Sequence, residues 1–290
     1  MTEFKVDYIG IGAAKAGTSW VNKMLSAHPG ICTAEPKEVH FFHDLVHLTA
    51  PVHQGNFSKG ITWYKRFFQH CTEGQIKGEI TPKYLISPVV PERIKSMFPD
   101  VKLILCMRSP VERATSHYYF TKYFLKAERR PIGQAMREEE EYIINGLYFR
   151  HLQRFLEFFP ATSIHLVWFE DIAGQPDKVL EDLYGFLGVD PTFKPPGMHA
   201  KSNAAKKVKS KRMREFIAWG ERKLTEAGLS GFVRFLKRIK INKAIAYFNE
   251  EVIRYEKVSS EDRAWLIEQF REDVLRLQAY TGRDLSSWLK

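Results

Sequence analysis

Apolar residues along this chain fall into short continuous runs that alternate with stretches spaced by three and four. Residues 6 to 12 (Val-Asp-Tyr-Ile-Gly-Ile-Gly) predict a buried strand, and Thr18 to His28 sets Trp20, Val21, Met24 and Leu25 on one helical stripe that His28-Pro29-Gly30 ends. Lys77 to Pro82 reads as a short strand closed by a turn, with a helix from about Pro91, whose fixed φ suits a first turn. Lys102 to Met107 is an apolar run of the kind buried on both faces of a parallel sheet, broken at Arg108-Ser109-Pro110 by another helix. Two helical stretches near 132–159, a strand over Ser163–Phe169 and a helix over Pro176–Leu187 that stops at Gly188 complete the alternation. The fold predicted is α/β: a mostly parallel sheet flanked by helices on both faces, with sites beyond the strand C-termini. We read one domain over 1–290, divided into an α/β core (1–190), a basic loop poised as a lid (191–210) and a helical region (211–290).

At 290 residues the chain buries a full core. Cys32, Cys71 and Cys106 are few and widely spaced, so no disulfide framework and no zinc motif is predicted. No signal-like stretch opens the sequence and no run is long enough to span a bilayer, which points to a cytoplasmic protein. The formal charge of +10 is concentrated rather than spread. Residues 199–240 hold 13 of the 44 Lys and Arg but three of the 34 acids, leaving 31 of each sign elsewhere.

Four groups of polar residues fall just after predicted strands. The first is Gly-Ala-Ala-Lys-Ala-Gly-Thr-Ser-Trp (12–20), a small-residue turn that carries Lys15 into a helix N-terminus, where free N–H groups and the helix dipole favour an anion. Gly12 and Gly17 have the separation of a nucleotide-triphosphatase P-loop, but Thr18 stands where its lysine belongs, which argues against a Mg-ATP site. The second group is Lys-Glu-Val-His-Phe-Phe (37–42); in an extended chain Glu38 and His40 would point the same way. In the third, Arg108 ends a strand and Ser116 follows about two helical turns later. The fourth is the polycation Lys201-Ser-Asn with Lys206, Lys207 and Lys209.

These motifs resemble the sulfotransferases that use 3′-phosphoadenosine 5′-phosphosulfate (PAPS), in particular the branch of the heparan sulfate sulfotransferase domains and their bacterial relatives. The likeness extends through Gly-Glu-Ile-Thr-Pro-Lys-Tyr-Leu (78–85), Leu-Cys-Met-Arg-Ser-Pro-Val-Glu-Arg-Ala-Thr-Ser-His-Tyr (105–118), Val-Trp-Phe-Glu-Asp-Ile (167–172) and the terminal Thr-Gly-Arg-Asp-Leu-Ser-Ser-Trp. It implies a P-loop-like fold in which Lys15, Ala16, Gly17, Thr18, Ser19 and Trp20 grip the donor's 5′-phosphate, with Lys15 neutralising the leaving oxygen. It further implies that Arg108 and Ser116 bind the 3′-phosphate, that Glu38 is the general base with His40 beside it, and that Lys201, Asn203, Lys206 and Lys207 close over the donor. No metal is implied; the product would be adenosine 3′,5′-bisphosphate.

The chain departs from the branch in three places. Ile80 stands where many members have a lysine, so Lys83 or the basic loop would have to replace that cation. His43 follows the Phe-Phe pair where an aspartate is common, with Asp44 one place later, and the C-terminal cysteine pair of the animal enzymes is absent. The acceptor therefore stays open between a sugar hydroxyl, a small metabolite, a lipid headgroup and an amine. The basic stretch 211–240 could be a solvated face, or could meet a membrane surface, a carrier domain or a polyanionic acceptor. The alternatives to sulfuryl transfer are a P-loop kinase or nucleotidase, and a nucleic-acid or membrane adaptor acting through 199–240.

Overall fold

Tyr8–Gly12 (β1), Ile31–Thr33 (β2), Ile76–Ile80 (β3), Lys102–Met107 (β4) and Ile164–Trp168 (β5) pair in parallel in the order β2-β3-β1-β4-β5. The structure, a computed structural model, describes residues 4–44, 55–199, 206–208, 250–252 and 258–290. Contacts divide the chain into two units, residues 1–201 with 258–290, and residues 202–257. In the first unit the helices are Thr18–Ala27 (α1), Gly60–Lys65 (α2), Val90–Met97 (α3), Pro110–Tyr119 (α4), Ile132–Glu138 (α5), Glu141–Ile144 (α6), Tyr148–Leu156 (α7), Phe169–Gly174 (α8) and Pro176–Leu187 (α9), with a C-terminal helix over Ser260–Thr281.

The strand order follows from the burial pattern. All of β1 and all of β4 beyond Lys102 are buried, as central strands covered on both faces must be, and these two lie side by side. The chain first runs outward from β1 to β2, returns through β3, and then crosses β1 to reach β4. That reversal leaves a crevice beyond the C-termini of β1 and β4, the place where open α/β sheets hold ligands. Close strand packing dictates Gly10, because a Cβ there would come within 2.6 Å of Ile80. The register slips between Gly10 and Gly12 against β4, bending the strand end into the turn that carries Lys15.

The C-terminal helix supports the same crevice from behind. Ser259 caps it, its Oγ accepting from the Asp262 N–H at 3.0 Å, and Gly282 at φ 70° ends it. It packs on α7 and α4, burying Leu266, Phe270, Val274 and Leu277. Its Asp273 carboxylate accepts the backbone N–H groups of Phe149 and Arg150 at 2.9 and 2.8 Å, which caps the exposed donors of α7.

Several sequence expectations change here. β2 and α2 were not anticipated, since three residues of strand and one and a half turns of helix carry no measurable period. The stretch 132–159 holds three helices rather than two. Cys32 and Cys71, expected to be unbridged, form a disulfide with Cα atoms 5.6 Å apart, and Cys106 is buried and free. Their separation of 39 residues is closed by the parallel pairing of β2 with β3, which spacing alone does not reveal. In the second unit, Lys206–Val208, read as part of a loop, is a strand paired antiparallel with Glu250–Val252, a segment read as helical. The candidate donor residues Lys201 and Asn203, and the basic stretch 211–240, lie outside the described residues. No helix among the described residues is long and apolar enough to cross a membrane.

Candidate functional site

Lys15 lies in the turn between β1 and α1 with φ 67°, a left-handed conformation that aims its side chain away from the strand direction. Its ammonium sits 4.0 Å from the centre of the Phe120 ring, where α4 passes into a π-helical segment, Phe120–Leu125. Burial, then the nearby Arg108 guanidinium, push the Lys15 ammonium down to about 8; Lys37 and Arg113 act in the same direction and Glu38 opposes them. Three further cations and one carboxylate are therefore within electrostatic reach of Lys15. Gly17 follows at φ 98° as the cap of α1, and a Cβ there would meet Ile172 at 3.0 Å and Phe169 at 3.2 Å. Ala16 and Thr18 are buried and Ser19 is exposed on the first turn of α1, while the Trp20 indole donates to the Met198 carbonyl at 3.2 Å.

Arg108 leaves the end of β4 with its guanidinium 4.5 Å from the Phe169 ring centre, and burial lowers its proton affinity. The flanking backbone is pinned: the Tyr148 hydroxyl donates to the Arg108 carbonyl at 2.8 Å, and the Ser109 N–H donates to Glu170 Oε1 at 3.0 Å. Ser116 lies on α4, as expected from the eight-residue spacing. Between them on α4 is Arg113, fully buried, which donates through Nη2 to the Tyr142 carbonyl. Its Nε and Nη1 find no acceptor among the described residues, and burial pushes the group down to about 10. A buried guanidinium with two unused donors, within electrostatic reach of Lys15 and Arg108, gives this region a concentration of positive charge that suits an anion.

Glu38 and His40 do come together, but not by the extended-chain route expected. Both residues have positive φ, 68° and 54°, so the loop is coiled. Glu38 Oε2 lies 3.7 Å from His40 Nε2, Glu38 Oε1 is 2.5 Å from Lys37 Nζ, and His40 Nδ1 is 2.9 Å from His43 Nε2. Glu38 keeps about 39% of its side chain exposed, open to an incoming molecule, while His40 and His43 are buried. Lys83, considered as a substitute for the cation missing at Ile80, is engaged by Glu141 at 2.5 Å.

What holds this loop was not foreseen. Glu79, buried on β3, accepts from the hydroxyls of Tyr64 (2.9 Å), Tyr84 (2.7 Å) and Thr81 (2.6 Å) and from the Val39 N–H (3.4 Å). Because the carboxylate takes the hydroxyl protons, the oxygens of Thr81 and Tyr84 are left to accept from the N–H groups of His40 (3.4 Å) and Phe41 (2.9 Å). One buried acceptor thus fixes three consecutive amides of the Glu38 loop. Burial raises the Glu79 carboxyl, against the four donors that lower it. The only sequence signal was an acid in the buried half of a short strand. Glu79→Gln is expected to cut kcat by roughly tenfold or more while leaving nucleotide affinity unchanged, since its amide turns a donor toward hydroxyl donors and shifts Glu38 alone. Equal losses in kcat and nucleotide binding would show that the network supports the whole crevice.

Comparison with known proteins bears on the family and the fold. The sequence model of the sulfotransferase domain family matches residues 5–259. Heparan sulfate glucosamine 3-O-sulfotransferase 5 of Mus musculus is 31% identical over 192 residues, covering 62% of this chain and 53% of that protein. The membrane-associated sulfotransferase kil1 of Dictyostelium discoideum is 24% identical over 275 residues, covering 63% and 56%. The chain thus spans about half the length of these relatives. Among solved structures, a sulfotransferase from Alicyclobacillus acidocaldarius superposes with a TM-score of 0.72 at 25% identity, over 99% of this chain and all of that one.

Proposed function

This chain belongs to the sulfotransferase domain family, and on that premise we propose that it moves a sulfuryl group from PAPS to a hydroxyl or amine of an acceptor, a carbohydrate or small metabolite. The observation that carries this reading is the set of cations at the ends of two neighbouring strands, Lys15 on the β1 side and Arg108 with Arg113 on the β4 side. A nucleotide with phosphate groups at both its 5′ and 3′ positions suits two such clusters. Lys15 and the first-turn amides of α1 would hold the 5′ end, with Ala16, Gly17, Thr18, Ser19 and Trp20 shaping the cradle. Arg108 and Ser116 would hold the 3′-phosphate, Arg108 through its planar fork.

The donor supplies an activated sulfuryl group, and the chain supplies alignment and charge. Glu38, half-exposed and next to His40, takes the proton from the acceptor as it attacks. Lys15 neutralises the charge that collects on the departing phosphate oxygen, which is the dominant requirement of an in-line transfer between oxyanions. Incubation with sulfur-labelled PAPS and a panel of sugar, lipid-headgroup and amine acceptors tests the reading. Transfer of label that depends on the protein supports it, and a requirement for ATP and magnesium instead would overturn it.

The lowered proton affinity of Lys15 adds a pH signature. Only the ammonium form attracts the anion, so affinity for adenosine 3′,5′-bisphosphate should be full below about 8 and weaken above it. The expected slope is about tenfold per pH unit until the proton affinity of the occupied site is reached. Calorimetry across that range checks it, and Lys15→Arg should flatten the profile because a guanidinium does not titrate there.

A further inference from the structure

At the edge of the sheet, Cys32 on β2 is bridged to Cys71, which follows the short helical segment Arg66–Phe68, and His70 lies against the bridge. His70 Nε2 is 3.4 Å from Cys32 Sγ and 3.1 Å from the Thr33 carbonyl oxygen. The two sulfurs and an imidazole nitrogen lie within 4.8 Å of one another, Cys32 buried, His70 exposed and Cys71 between these extremes. A disulfide needs no imidazole. Two sulfurs with an imidazole are, however, the donor set that a soft divalent cation selects.

We propose that, once the Cys32–Cys71 bond is reduced, Cys32, His70 and Cys71 form a binding site for a divalent cation of the zinc class, with a fourth position open to solvent. Reduction by a thiol reductant delivers two electrons and two protons, so that the S–S bond becomes two thiols and the reductant's thiols become a disulfide. The cation then displaces both thiol protons into solvent and binds two thiolates and the neutral imidazole. The metal-bound tautomer carries its proton on Nδ1, so Nε2 gives up its contact with the Thr33 carbonyl. Bond lengths of about 2.3 Å to sulfur and 2.0 Å to nitrogen set tetrahedral neighbours about 3.5 Å apart. Cys32 Sγ and His70 Nε2 already have that spacing. With Cα atoms 5.6 Å apart, the sulfurs can separate by side-chain rotation without moving the backbone. Bridge and metal would each fasten β2 to the segment after α2, so the two states exchange one brace for another. This inference is independent of the sulfuryl-transfer reading.

The test is a cobalt(II) titration of the whole chain, reduced, desalted without oxygen, and compared with the oxidised protein. A thiolate-to-cobalt charge-transfer band that saturates at one equivalent, yields to zinc and is missing from the oxidised protein is the expected result. Cys106→Ser should leave the band intact, and His70→Gln should weaken cobalt binding roughly tenfold or more. No band in the reduced protein overturns the proposal, as does an equal band in the Cys32→Ser/Cys71→Ser chain or in urea-unfolded protein. Should a variant fail to fold by circular dichroism, the reduced and oxidised wild-type chains decide alone.

Discussion

Lys15→Ala and Arg108→Ala are each expected to weaken adenosine 3′,5′-bisphosphate binding by about 3 kcal/mol or more, on the order of a hundredfold or greater, as read by calorimetry. Both cations are largely buried, so their attraction for an anion is poorly screened, and among the described residues neither has a compensating carboxylate bonded to it. Lys15 rests on Phe120 and Arg108 on Phe169, aromatic faces that orient a cation without neutralising it. The two losses should differ in their rescue. Arg108→Lys restores charge but not the fork, and should recover little of a phosphate contact that uses two parallel N–H groups. Wild-type affinity in Arg108→Ala would remove that residue from the site and leave Arg113 as the group answering to the β4 phosphate. Because Lys15, Arg108 and Arg113 repel one another in the free protein, removing one cation relieves the others, and the double variant should lose more than the sum of the single losses.

The second large effect belongs to Glu38. Glu38→Gln is expected to lower kcat by roughly 10² to 10⁴ while nucleotide affinity and folding hold, because the amide keeps the shape and cannot take a proton. Its backbone allows a sharper experiment. At φ 68° a non-glycine residue is strained by about 1 to 2 kcal/mol, so Glu38→Gly should raise thermal stability even as it abolishes turnover. A stabilised, inactive variant would show that the loop tolerates strain in order to place a carboxylate. If Glu38→Gln turns over normally, the base is elsewhere, and His40 and His43, 2.9 Å apart and buried beside Glu38, are the next to substitute.

How far the sequence led can be judged residue by residue. β4 and α9 were legible to their ends, since a continuous apolar run between Lys102 and Met107 and a helical stripe closed by Gly188 each admit one reading. The Lys15 turn was also legible as the segment between β1 and α1, and the Arg108–Ser116 spacing as a strand end running into a helix. Arg113 was inside the quoted motif but indistinguishable there from a surface arginine, because burial depends on what the C-terminal helix and α6 bring against α4. Glu38 and His40 were paired by an argument from extended chain that the structure replaces with two left-handed residues. The Glu79 network and the Cys32–Cys71 bridge both depend on β2 lying beside β3, a pairing formed by a strand too short to announce itself.

The position of β1 has a consequence for how such a protein can diversify. The Lys15 loop, proposed to grip the nucleotide, hangs from a strand with neighbours on both sides, whereas Glu38, proposed to meet the acceptor, follows a three-residue strand on the sheet's outer rim. Insertions and substitutions at that rim disturb few ladder bonds. On the proposed reading, a new acceptor can be accommodated by remodelling residues 34–44, while the turns that carry Lys15 and Arg108 from the central strands are left as they stand.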